Sequence, residues 1–162
     1  GRFLPAGQPG RIGLFIGSPS YRGHEEREMG FRSILSGDFP ELRVVDFAVI
    51  EDDRDNAYRE ARRLLAQDDL VGIYNIGSGN QGIAQAVKEM GRAKDLVFIA
   101  HDFTEATRTL LLDRTIDAII DQNPRVEARE VIRNLVAAIR GEMEPEYPPR
   151  LQAIFRENMP AS

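Results

Sequence analysis

The sequence predicts an α/β domain in which a parallel sheet of about five strands carries helices on both faces, followed by one further helix and a C-terminal strand. Two observations predict this class. Short apolar segments alternate with longer amphipathic ones five times along the chain. Glycine, proline, asparagine and aspartate are concentrated between those segments, where turns and helix caps are expected.

The first two units can be bounded from their end signals. Residues 12–17 (IGLFIG) form an apolar run that ends in glycine, which predicts a buried strand. A helix is expected over 20–35, and a second strand over 43–50 (RVVDFAVI). Asp55 and Asn56 are the expected caps of a second helix that ends near residue 65.

The remaining units repeat the pattern. Thr104 is the expected N-cap of the fourth helix. Asn123 followed by Pro124 predicts the start of a long fifth helix, and Gly141 predicts its end. The third to fifth strands are expected over 70–76, 96–100 and 116–120, the helices over 81–90, 104–112 and 124–140, and the last strand over 151–155.

Composition excludes several function classes. The 162 residues contain no cysteine, and the two histidines lie far apart, so neither a disulfide framework nor a metal site is expected. The formal net charge of −5 has the wrong sign for a surface that binds phosphates. No apolar run approaches the roughly 20 residues that span a bilayer. We therefore expect no cofactor and no contact with a membrane, and no DNA contact by this part of the chain.

Ligands of a parallel α/β sheet bind beyond the carboxyl ends of its strands. In this chain those positions are rich in carboxylates and amides, and Arg27 and Tyr21 lie nearby. Carboxylates accept hydrogen bonds from hydroxyl groups, an arginine donates two in one plane, and a tyrosine ring offers a stacking face. The strand ends therefore predict a site for a polyol; they are residues 17–21, 51–53, 75–81, 101–102 and 121–123.

An enzymatic alternative comes from the third unit. Residues 77–82 (GSGNQG) match G-x-G-x-x-G between a strand and a helix, and Asp102 follows twenty residues after Gly82, as in dinucleotide sites. Against this, the fingerprint normally opens the first unit of its domain. A nucleophile motif is also missing, and neighbours such as His101 and Asp102 point to opposite sides of a strand. We expect a binding protein without catalytic residues.

Four motifs in order indicate a family. An arginine, a glycine and an aromatic residue stand at R-x-x-G-F (27–31), and the fourth strand closes on His101-Asp102. Residues 119–124 read IIDQNP, and residues 155–160, close to the end of the sequence, read FRENMP. This arrangement resembles the effector-binding domain of lactose-repressor (LacI/GalR) regulators, whose lobes are Rossmann-like and similar to type I periplasmic binding proteins.

The resemblance implies a cytoplasmic, homodimeric regulator that binds a sugar-like effector between two lobes and reads DNA through an absent N-terminal helix-turn-helix. It assigns Arg27, Asp102 and Gln122 to the sugar and places Tyr21 and Asp52 in loops that line the cleft. The family's usual Asn-Asp after the third strand is replaced by Gly77-Ser78-Gly79, so the amide role passes to Asn75, Ser78 or Asn80, or to backbone groups.

It also implies the domain organisation. Residues 1–10 are expected to be the tail of a truncated helix and a linker, and 11–162 a fragment that is mainly the C-terminal lobe. Within it, 123–141 is the helix that returns to the missing N-terminal lobe. A periplasmic sugar receptor of a transporter has the same fold and cleft, so it stays open as the alternative function.

Overall fold

The computed structural model describes residues 4–5, 7–142 and 151–160, with the side chains of 45–47 excepted. Most of the predicted N-terminal helix tail and the proline-rich stretch at 145–149 lie outside the described residues. The strands are β1 (Gly10–Ile16), β2 (Leu42–Val49), β3 (Leu70–Asn75), β4 (Val97–His101), β5 (Ala118–Asp121) and β6 (Gln152–Ile154). The helices are α1 (Arg22–Asp38), α2 (Arg54–Leu65), α3 (Asn80–Glu89), α4 (Glu105–Leu112) and α5 (Pro124–Arg140), with a 3-10 turn at Arg156–Asn158.

The six strands form one sheet in the order β2-β1-β3-β4-β5-β6. The first five are parallel, and β6 pairs antiparallel with β5. The predicted fold class is confirmed, with the C-terminal strand added at the edge of the sheet. Because β1 lies between β2 and β3, the order of the strands reverses at β1. Because the strands are parallel, the carboxyl ends of β1, β3, β4 and β5 lie at the same edge of the sheet.

Successive strand residues point to opposite faces of the sheet, and the side chains on both faces are buried. Phe15, Ile73 and Phe98 belong to the core shared with α2, α3 and α4. The residues beside them in these strands point to the opposite face, so Leu14 and Tyr74 pack on the face that α1 covers through Phe31.

The helix boundaries follow their caps. Asp53, rather than Asp55 and Asn56, caps α2, because its carboxylate accepts from the backbone N–H of Asn56 at 2.8 Å. Thr104 caps α4 as predicted. Asn123 occupies the cap position of α5 in a left-handed conformation, but its side chain makes no capping hydrogen bond.

Helix α5 carries an unburied apolar face. Ala137 is its only fully buried residue, and Ile139 is 86% exposed. Burial of an amphipathic face supplies most of a helix's stability in a protein. The face needs a covering that the described residues do not supply; its exposed apolar members are Val131, Ile132, Leu135, Val136 and Ile139.

Candidate ligand-binding site

Three predicted site residues from different elements meet in one chain of hydrogen bonds. Arg27, on the second turn of α1, donates from Nη2 to Oε1 of Gln122 over 2.6 Å. Gln122, the residue after β5, donates from Nε2 to Oδ1 of Asp102 over 3.0 Å. Asp102 follows β4 directly. A guanidinium, an amide and a carboxylate therefore line one end of the sheet, which provides donors and acceptors for a hydroxylated molecule.

Asp102 is held in a special backbone conformation. Its φ is +66°, a left-handed value that is uncommon for a residue other than glycine. Its N–H donates to the carbonyl of Ile120 at 3.0 Å, and its own carbonyl accepts from Oγ1 of Thr107 at 2.7 Å. The loop is thus anchored on β5 and α4, and the carboxylate stays directed at Gln122.

A hollow of about 310 Å³ opens beside this chain, between the N-terminal ends of α2, α3 and α4. Such a space has the size of a small ligand site. Asp102 lines it as well as bonding to Gln122, so the hollow and the hydrogen-bonded chain are adjacent; the other lining residues are Asp52, Arg54, Gly77, Ser78, Gly79, Asn80, Gln81, His101, Thr104, Ala106 and Thr107.

The turn after β3 uses its polar groups internally. The buried Asn75 donates from Nδ2 to the carbonyl of Ser78 at 2.8 Å and to Oδ1 of Asn80 at 2.7 Å. Its own Oδ1 accepts from the N–H of Gly77 at 3.2 Å. Asn75 therefore holds the turn together, whereas Ser78 and Asn80 reach the wall of the hollow.

Asp52 and Tyr21 lie apart from the Arg27–Gln122–Asp102 chain. Oδ1 of Asp52 accepts from the N–H of Ser78 at 2.7 Å, and its carbonyl accepts from Oγ of Ser78 at 2.9 Å. Asp52 thereby joins the loops after β2 and β3 at the wall of the hollow. Tyr21 is 57% exposed and makes an edge contact with His24, with ring centroids 5.3 Å apart.

A buried neutral pair lies close to Arg27. His101 is 2% exposed, and its Nε2 is 2.8 Å from the hydroxyl of Tyr74. Burial, with smaller contributions from the charges of Arg27 and His24, lowers the pKa of His101 to about 4. Burial also raises the pKa of Tyr74 to about 12. Both groups are uncharged at neutral pH, which leaves Arg27 as the cation of this layer.

Sequence reasoning missed Tyr74 and Asp121. The strand pattern predicts only that Tyr74 is a strand residue. The position of its hydroxyl opposite His101 depends on the register between β3 and β4. Asp121 lies at a predicted strand end, but the sequence does not show which backbone groups of the two neighbouring loops it contacts. The strand alternation that places Tyr74 and His101 on one face was the available signal.

The glycine-rich turn does not have the geometry of a dinucleotide site. There, the second glycine leaves room for the pyrophosphate. Here a Cβ on Gly79 would lie 2.8 Å from that of Ala57, so protein already fills that space. The N–H of Ser78, which would face a phosphate, donates to the carboxylate of Asp52. A second anion would be repelled there, so this turn does not support the enzymatic alternative.

Comparison with known proteins decides the family. The family of periplasmic binding protein domains matches residues 1–143. The chain belongs to this family. None of the curated proteins compared matches the chain.

Solved structures of sugar-binding proteins share the fold. The glucose-galactose binding protein GanP from Geobacillus stearothermophilus is similar over 96% of this chain, with a TM-score of 0.86 and 20% identity. A carbohydrate transporter solute binding protein from Agrobacterium radiobacter, solved with D-arabinose, matches 93% of it with a TM-score of 0.85 and 22% identity. AraP, an arabinose binding protein from G. stearothermophilus, matches 93% with a TM-score of 0.79 and 23% identity.

The chain spans about half the length of these structures, since it covers 56%, 52% and 55% of them respectively. In the ranges that the structure describes, no helix is long and apolar enough to cross a membrane. Nor does a group of metal-binding side chains occur among those residues.

These findings correct two expectations. The resemblance to a LacI/GalR regulator predicted an effector domain that controls DNA binding, but the matched family and the solved neighbours are periplasmic and sugar-transport binding proteins. The cytoplasmic location is wrong for the same reason. The motifs misled because the two classes share a fold and a cleft. The homodimer expected with the regulator stays a prediction that the family match does not test.

Proposed function

We propose that this chain is the sugar-binding lobe of a solute-binding protein that serves a sugar transporter outside the cytoplasm. The observation that carries the proposal is the hydrogen-bonded chain of Arg27, Gln122 and Asp102 beside the hollow. Its donors and acceptors suit sugar hydroxyls. The fold shared with the glucose-galactose binding protein, the binding protein solved with D-arabinose and the arabinose binding protein supports the same ligand class.

The assignment of individual residues is part of the proposal. Arg27 and Gln122 donate to sugar oxygens and Asp102 accepts from a sugar hydroxyl, exchanging the bonds that they now make with one another. Asn80 and Ser78 line the adjoining wall. Asp52 and Asn75 support the loops, and we assign Tyr21 to the rim of the cleft at the exposed start of α1.

The second lobe is also proposed. Helix α5, within the predicted 123–141 segment, packs its apolar face on a lobe that supplies the other wall of the cleft. Two features support this: the exposed apolar residues of α5, and the half of the neighbours' length that this chain does not span.

Calorimetry on the chain at its natural full length tests the proposal, with D-glucose, D-galactose, D-arabinose, D-allose and D-tagatose as probes. We expect at least one to bind, and Arg27→Ala and Asp102→Ala to weaken its binding by about 1–3 kcal/mol each, as for lost charge-assisted hydrogen bonds. Arg22→Ala is the matched control, because Arg22 is on the same helix but, among the described residues, pairs with Glu26 and not with the site. Unchanged affinity in both site variants would remove these residues from the site.

A further inference from the structure

We infer that Asp121 is a positioning residue of the sugar site, which orients Asp102 and Gln122 without touching the ligand. The inference rests on the proposed function. Asp121 is the last residue of β5, and its two carboxylate oxygens are used separately. Oδ1 accepts from the N–H of Phe103, and Oδ2 from the N–H of Asn123, each at 3.0 Å.

These two N–H groups follow the two ligand residues in the chain. Phe103 comes directly after Asp102, and Asn123 directly after Gln122. Asp121 therefore fixes the backbone on the far side of both residues at once. The separation of its two oxygens sets the distance between the loop after β4 and the segment that leaves β5.

Both loops need such a restraint. Asp102 and Asn123 have φ values of +66° and +54°, left-handed conformations that cost a residue with a side chain some free energy, although Asp and Asn tolerate them best. Releasing either N–H would let the backbone return to a more common conformation and turn the neighbouring side chain away. Thr107 and Ile120 hold Asp102 from its other sides, and Asp121 adds a backbone link between the two loops beside the side-chain bond from Gln122 to Asp102.

An aspartate suits this position for a chemical reason. Two N–H donors converge on one short side chain, and only a carboxylate offers an acceptor to each. In Asp121→Asn one oxygen is replaced by an NH₂ group, which cannot accept a hydrogen bond. This variant should lose one of the two restraints, whereas Asp121→Ala loses both.

The matched control lies at the opposite end of the same strand pair. Asp117 immediately precedes β5, and its Oδ2 accepts from the N–H of Phe98 on β4 at 2.8 Å. Asp117→Ala removes a similar aspartate-to-backbone bond far from the ligand edge. It should lower the melting temperature without changing sugar affinity.

The experiment uses the chain at its natural full length and combines calorimetry with NMR. For the tightest of D-glucose, D-galactose, D-arabinose, D-allose and D-tagatose, we expect Asp121→Asn to weaken binding about tenfold and Asp121→Ala about 10- to 100-fold, the range for bonds to charged groups. Asp117→Ala should change it less than twofold. In an Asp102→Ala background the effect of Asp121→Ala should shrink, because one of the residues that it orients is gone.

The ligand-free protein gives a second readout. The side-chain amide resonances of Gln122 and the backbone amide of Asn123 should shift in Asp121→Ala but not in Asp117→Ala. Unchanged resonances, affinity equal to that of Asp117→Ala, or full additivity with Asp102→Ala would each overturn the inference. If the unaltered protein bound none of the sugars, the proposed function would fail, while the Gln122 resonances would still decide whether Asp121 positions the site.

Discussion

His101 shows how a single residue beside the site can be tied to the state of the whole fold. The side chain is buried against Tyr74, and its Nδ1 has no hydrogen-bond partner. A buried imidazole with one free nitrogen tolerates the neutral form only, because protonation would place a cation without a counter-charge near Arg27.

Stability should therefore depend on pH through His101. The folded protein binds a proton on this ring only below a pKa of about 4, whereas the unfolded chain binds one below about 6.5. The free energy of unfolding should therefore be highest above pH 6.5, and it should fall by roughly 2–4 kcal/mol as the pH drops to 4. Chemical denaturation at pH 7, 6, 5 and 4 measures this loss.

His101→Gln should flatten that dependence relative to the unaltered protein. His24→Gln is the control, since His24 lies on α1 and is only partly buried. An equal flattening in both variants would contradict the assignment to His101.

The sequence predicted which residues follow the strand ends, but not how their polar atoms are used. Arg27, Asp102 and Gln122 were singled out by motif, and the structure brings them together. Asn75 looked equally suited to a ligand, yet its amide is occupied by the turn that follows it. Residue type shows what a side chain can bond to, whereas local backbone geometry decides which partner it takes.

At the scale of elements, the close packing of α2 against α3 fixes the loops of the site. Gly82 on α3 faces the first turn of α2, where an added Cβ would lie against the carbonyl oxygen of Arg54, well inside van der Waals contact. A glycine at this position is therefore required for the close packing of α2 against α3.

Gly82→Ala should destabilise the protein by about 2 kcal/mol, because backbone atoms on both helices must shift. Gly30→Ala is the matched comparison: it lies in the interior of α1 with nothing within 4 Å of an added Cβ. That variant should gain about 0.5–1 kcal/mol from helix propensity. Thermal denaturation followed by circular dichroism separates the two, and equal shifts would refute the packing role.

The order and type of the elements were predictable because apolar periodicity changes between strand and helix five times. The boundaries were less so. Asp53, Asp55 and Asn56 are all good caps, and only the position of β2 selects Asp53. The antiparallel direction of β6 depends on the path by which the chain returns to the sheet, which short-range sequence patterns do not encode.

At the scale of the whole molecule, α5 carries an apolar face that is exposed to solvent in this structure. Val131 and Ile132 each lie about one turn before Leu135, and all three are more than half exposed. Water contact with such a face is unfavourable, so a second lobe that covers it would contribute to folding.

Leu135→Ser should therefore cost about 2–4 kcal/mol in the chain at its natural full length, as expected for removing a buried leucine. Ile34→Ser on α1 should cost less than about 1 kcal/mol. The two positions are matched in this structure, with 59% and 58% exposure. Urea denaturation gives both values, and a small effect at Leu135 would show that nothing covers α5.

The mutual bonding of Arg27, Gln122 and Asp102 has a thermodynamic consequence. These side chains are already ordered in the ligand-free protein, so their rotamer entropy is lost before any ligand binds. Under the proposed function, a bound sugar would exchange these hydrogen bonds for new ones of similar strength, so the heat released per contact would be small. Discrimination between epimers would then depend on whether a sugar hydroxyl stands where each displaced partner stood, since a missing hydroxyl would leave that group without a hydrogen-bond partner.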